Sequence, residues 1–131
     1  MAYTTIDDPT IYFNTKLYTG NGGTQSITGV GFQPDWVWLK HRNGTNNHCA
    51  YDAIRGVQKT LHPDLNYAES TDANNLTAFG TDGFTVGSAT NVNGASGTYV
   101  AWNWKAGTSF SNDASATGVG TIDSTGSINT T

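Results

Sequence analysis

Hydrophobic positions along this chain recur in short runs separated by glycine, asparagine and proline, a spacing that predicts strands and turns rather than helices. The densest run is Trp36-Val37-Trp38-Leu39, closed by Lys40. It is too short to bury itself as a helix and is rich in β-formers, so it predicts a strand covered on both faces. Gly31-Phe32-Gln33-Pro34-Asp35 leads into it as a turn. Pro34 fixes its own φ and keeps Gln33 extended, and Asp35 can accept from nearby backbone N–H groups. Near the other end, Tyr99-Val100-Ala101-Trp102-Asn103-Trp104 alternates, with Val100, Trp102 and Trp104 on one face and Tyr99, Ala101 and Asn103 on the other. All four tryptophans lie in these two segments, which are expected to pair with each other and to form the core.

The remaining elements follow from the same pattern. Phe13 to Tyr18 predicts a first strand, Gly20-Asn21-Gly22-Gly23 a hairpin turn, and Thr24 to Val30 the return strand. Cys49 to Ile54 predicts another strand, ended by Arg55-Gly56, and Val57 to Leu61 is short and ambiguous. Tyr67 to Asn75 is a polar surface loop. Leu76 to Phe79 and Phe84 to Val86 flank Gly80-Thr81-Asp82-Gly83, a second hairpin signal. Asn91 to Gly97 reads as a loop. From Gly107 onward the chain is almost all Ser, Thr, Gly, Ala and Asp, as in a linker or thin β-ribbon. The expected organisation is an N-terminal arm over residues 1–11, a sandwich domain over 12–106 and an extended tail over 107–131. About eight or nine short strands make an all-β, antiparallel two-sheet sandwich with little helix.

Composition supports that class. Aromatic residues reach 11% and charged residues only 12%, unlike disordered chains, which lack aromatics and carry high net charge. The net charge of −4 and six scattered Lys and Arg argue against a nucleic-acid partner. The N-terminal residues carry no secretory signature and no apolar run approaches a membrane span, so synthesis in a cytoplasm without membrane insertion is expected. The single cysteine, Cys49, rules out an intrachain disulfide and a Cys-based zinc cluster. It reads as a buried thiol, with an interchain link as the alternative.

Candidate chemistry is sparse. His41, His48 and His62 lack metal-ligand spacing, and Asp72-Ala73-Asn74-Asn75 lacks the other ligands of a calcium loop, so no metal and no cofactor are expected. One glutamate, no nucleophile elbow and a poor Cys49–His48 dyad argue against an enzyme. Asp52 and Arg55 can pair across a bend with Gly56 at positive φ, a structural corner. Trp102 and Trp104 are read as structural core. The alternative use of aromatics is stacking on sugar rings. Trp36 shares a face with Trp38 opposite Val37 and Leu39, which leaves room for one partly covered pair. With loops 41–48 and 91–97, this nominates Trp36, Arg42, Asn46, His48 and Asn93 as ligand-binding candidates.

One ordered series of motifs is more specific than any of these alone. Tyr18-Thr19-Gly20-Asn21-Gly22, Gly31-Phe32-Gln33-Pro34-Asp35-Trp36-Val37-Trp38-Leu39-Lys40, Asp52-Ala53-Ile54-Arg55-Gly56, Asp82-Gly83-Phe84-Thr85-Val86-Gly87 and Tyr99-Val100-Ala101-Trp102-Asn103-Trp104-Lys105-Ala106 resemble a module of phage tail-fibre and appendage proteins. The resemblance spans about residues 12–106. It implies a concanavalin A-like, jelly-roll type sandwich in a virion, with other virion proteins as partners and, by analogy, a homo-oligomer such as a trimer. It carries over no catalytic or ligand residues. The expected function is structural, in assembly and attachment, with binding of a host-surface glycan as the alternative.

Overall fold

A computed structural model describes residues 8–117 and 122–128. Its larger unit, Asp8–Lys105, runs through β1 (Phe13–Thr19), β2 (Gln25–Thr28), β3 (Trp36–His41), β4 (Cys49–Asp52), β5 (Lys59–Thr60), β6 (Ser70–Thr71), β7 (Leu76–Gly80), β8 (Gly83–Val86) and β9 (Thr98–Trp104). A four-residue helix, α1 (Thr90–Asn93), precedes β9. The strands form an antiparallel four-stranded sheet ordered β1-β9-β3-β4 and a three-stranded sheet ordered β2-β8-β7. The two pack face to face: Val37, Leu39, Cys49, Tyr51 and Ala101 of one meet Ile27, Leu76, Phe84 and Val86 of the other, with Val92 of α1 at the side. The fold is thus an all-β sandwich with little helix.

The two tryptophan strands pair as the central strands of the larger sheet, Trp36 opposite Trp104 and Trp38 opposite Trp102. Their faces are the reverse of the sequence expectation. Tyr99, Ala101 and Asn103 point inward and are fully buried, whereas Trp102 is half-buried and Trp104 exposed on the outer side. The expected core of four tryptophans is therefore corrected, and β3 is covered on one face only. The reason is volume. The gap between packed sheets is about 10 Å, and Val37, Leu39 and Ala101 fill it without the clash that opposed indole pairs would create. Asn103 is tolerated inside because its Nδ2 donates to the Asn14 carbonyl at 3.0 Å and the Ala101 carbonyl at 3.2 Å.

The Gly20–Gly23 turn is also corrected. It is no hairpin: β1 belongs to one sheet and β2 to the other, so the turn carries the chain across the sandwich. Gly20 allows this crossing, because a Cβ there would lie 2.2 Å from the Gly94 carbonyl oxygen. The Leu76–Val86 segment is a hairpin, with Thr81 and Asp82 between β7 and β8. At its tip the Asp82 carboxylate accepts the N–H groups of Gly31 at 2.6 Å and Gly29 at 2.8 Å. These bonds, that from Gly31 first, hold the carboxyl below its ordinary range. They tie the β2–β3 link to the hairpin.

Cys49 lies in the core. Burial pushes its thiol up to about 11, and its Sγ accepts the Asn91 Nδ2 at 3.2 Å. The native protein is expected to resist a thiol-specific disulfide reagent at neutral pH and to react stoichiometrically once unfolded. Fast labelling of the folded chain would contradict this placement.

Of the arm expected over residues 1–11, residues 1–7 lie outside the described residues, and Asp8 caps a single 3-10 turn, Pro9–Ile11. The smaller unit contains β10 (Thr108–Asn112) and β11 (Ser124–Ile128), paired antiparallel as a ribbon, with the short helix α2 (Ala114–Thr117).

Candidate functional site

Antiparallel register places directly opposed residues on the same face of a sheet. On the outer face of the four-stranded sheet this yields three rows across β1, β9 and β3: Phe13–Trp104–Trp36, Thr15–Trp102–Trp38 and Leu17–Val100–Lys40. Phe13, Leu17, Trp36 and Trp104 are exposed, Leu17 the most at 60%. The Phe13 and Trp104 rings pack at a centroid distance of 5.0 Å. Trp38 and Trp102 meet edge to face at 6.0 Å and an interplanar angle of 70°. Six large apolar side chains thus share one solvent-facing surface, more than scattered exposure would place together.

The face contains a cavity of about 370 Å³ lined by Trp38, Trp102, Trp104 and His48. His48 enters from the loop between β3 and β4, its ring edge-on to Trp38 at 5.7 Å. The Trp38 indole Nε1–H donates to His48 Nδ1 at 2.9 Å. Since an indole nitrogen only donates, His48 Nδ1 is the acceptor and the neutral ring carries its proton on Nε2. The imidazole is held further through its backbone, whose N–H donates to Asp64 Oδ1 at 3.1 Å and whose carbonyl accepts from His62 Nδ1 at 2.8 Å. The cavity therefore combines indole surfaces with one anchored polar ring, the pattern of a small-ligand site.

Its rim is polar. Lys40 Nζ donates to the Asn46 carbonyl at 2.5 Å. At the β4 edge, Arg55 Nε bonds Asp52 Oδ2 at 2.5 Å and Arg55 Nη1 bonds Glu69 Oε2 at 2.8 Å. The Arg55 backbone N–H donates to Asp52 Oδ1, and Gly56 follows at φ 89°. This closes the corner after β4. The Glu69 carboxylate, the chain's one glutamate, completes the cluster from the loop before β6.

The five residues nominated from sequence are not gathered. Trp36 and His48 lie on the aromatic face. Arg42 is exposed beyond the far end of β3, about 20 Å along the strand from Trp36. Its backbone N–H donates to the Thr98 carbonyl at 2.7 Å. Asn46 serves its own loop, pairing through Oδ1 with His41 Nδ1 at 2.7 Å. Asn93 is fully buried, and its Nδ2 donates to Asn21 Oδ1, the Gly23 carbonyl and the Gly87 carbonyl. It locks the crossing turn and cannot reach a ligand. Trp38, Trp102, Trp104 and Phe13 are the members that sequence reasoning missed. The available signal was the pairing itself, since two in-phase strands with Trp at alternate positions must place all four indoles together.

Comparison with curated proteins finds no match, and neither does comparison with solved structures. Residues 8–131 match a family described as a domain of unknown function, DUF7483. That span covers nearly the whole chain, and the protein belongs to the DUF7483 family.

Proposed function

We propose that the protein is a non-catalytic attachment module of a phage tail fibre or surface appendage, and that it binds host-surface glycan on the aromatic face of its four-stranded sheet. The observation that carries this reading is the aromatic cavity with the anchored His48. A pyranose ring offers a face of C–H groups that packs on indole and hydroxyls at its edge that need polar partners. The His48 Nε2–H supplies one such partner at the cavity, and Lys40 and Asp52 stand in the adjoining rows of the same sheet face. The virion setting rests on the motif series read from the sequence. A single shallow site binds weakly, and repetition of the module in a homo-oligomer with other virion proteins multiplies its avidity.

The thiol of Cys49, raised by burial, and the His48 Nδ1, engaged by Trp38, favour binding over nucleophilic catalysis. Tagged protein is expected to decorate host cells at micromolar concentration and to be displaced by free saccharide from the host surface. Absence of cell binding at that concentration would remove the attachment reading. Decoration that saccharide cannot displace would remove the glycan.

A further inference from the structure

We infer that β1 is a self-association edge, through which two copies of the chain join their four-stranded sheets into one continuous sheet. The sandwich has four sheet edges, and three are blunted. β4 is bridged by Leu61, with N–H···O bonds both ways to Ala50 at 2.9 and 3.2 Å. β7 carries a register shift between Leu76 and Ala78. β2 is only four residues long. β1 has seven residues, without proline or bulge, and its one charge, Lys16, is on the inner face. Natural sheets protect long flat edges by charge, inward-pointing charge included, by proline, bulges or cover. Among the described residues β1 carries only the inward Lys16 of these devices.

Its backbone is oriented for pairing. The Tyr12 carbonyl accepts from the Lys105 N–H, and the Gly20 N–H donates to the Gly97 carbonyl, so even-numbered residues bond toward β9. Alternation turns the N–H and C=O groups of Phe13, Thr15 and Leu17 outward. Among the described residues, no hydrogen bond from outside the ladder reaches these three. Beyond them Gln25 Nε2 donates to the Thr19 carbonyl at 3.2 Å and closes the edge.

The strand is also complementary to itself. With a two-fold axis at Thr15, Phe13 of one copy lies opposite Leu17 of the other, and Lys16 opposite Asn14, so apolar meets apolar and no like charges face each other. The register uses only outward-bonding residues. Leu17, the most exposed of the large apolar side chains on the outer face, gains cover. The product is a dimer rather than the trimer expected by analogy, and it extends the aromatic face without covering the Trp38–Trp102 cavity.

The test is sedimentation of the full chain from about 1 to about 100 µM, beside Leu17→Lys and Thr15→Pro. The wild type is expected to show a monomer–dimer equilibrium in this range. Each variant should weaken it at least tenfold, since the lysine meets an apolar partner and the proline removes an outward N–H without touching the β1–β9 ladder. Circular dichroism confirms the fold, and Leu17→Lys stands alone if Thr15→Pro misfolds. A wild type that stays monomeric, as when a foreign strand or residues 106–131 occupy the edge, overturns the inference. So does a dimer that both variants retain. Saccharide binding by monomeric Leu17→Lys separates this inference from the glycan reading, which stands or falls independently.

Discussion

Leu39→Ala is expected to destabilise the sandwich by about 3–4 kcal/mol, while Trp38→Ala, its neighbour on β3, costs about 1–2 kcal/mol despite deleting a larger side chain. Leu39 is fully buried in the cluster between the sheets, where truncation leaves a cavity that the packed walls cannot close. Trp38 is half-buried on the outer face, where water replaces the lost indole and the losses are ring contacts and one hydrogen bond to His48. Denaturant unfolding with a shared slope measures both differences. A larger loss for Trp38→Ala would return the tryptophans to the core and invert the face assignment.

Asn93→Ala should lower stability by about 3 kcal/mol, and Asn93→Asp by more. The alanine removes the bonds to Asn21, Gly23 and Gly87 and strands the buried Gly87 carbonyl. The aspartate turns a donor toward three oxygen acceptors into a buried negative charge facing them. For a chain of this size the alanine effect corresponds to a fall of roughly 10 °C in Tm. Unchanged melting of both variants would mean that Asn93 is a surface loop residue, as its place in an Asn/Gly-rich segment suggests.

The pairing of the two tryptophan strands is legible in the sequence, because their apolar runs are the longest and demand the central places of a sheet. The Leu76–Val86 hairpin is legible for a local reason: its turn residues lie directly between two strands that pair with each other. Gly20–Gly23 has similar turn chemistry, yet it joins strands in different sheets, and short-range signals do not distinguish the two outcomes. The inner face of β9 is obscured by Asn103, a polar residue on the buried side whose bond to the Asn14 carbonyl forms only when a strand distant in sequence packs beside it. With both faces of β3 apolar, hydrophobicity cannot choose between them. The choice rests on volume across the gap between the sheets.

The candidate site was legible in part for the same reason. Trp36 and His48 were found as an aromatic and a loop histidine, whereas Trp38, Trp102 and Trp104 were assigned to packing. Loop composition pointed to Arg42, Asn46 and Asn93, but Asn and Gly are abundant in loops that close on themselves as well as in loops that hold ligands. The bonds of Asn46 to His41 and of Asn93 to the crossing turn show the former.

The most direct test of the proposed glycan binding is two-dimensional NMR of the four indole N–H groups during titration with host-surface saccharides. The Trp38 and Trp102 signals are expected to shift saturably, and Trp102→Ala should weaken binding at least tenfold while the fold is retained. Saturable binding that leaves all four indoles unmoved, with shifts confined to residues 41–48 and 91–97, would place the ligand on the loops and contradict the assignment of the aromatic face.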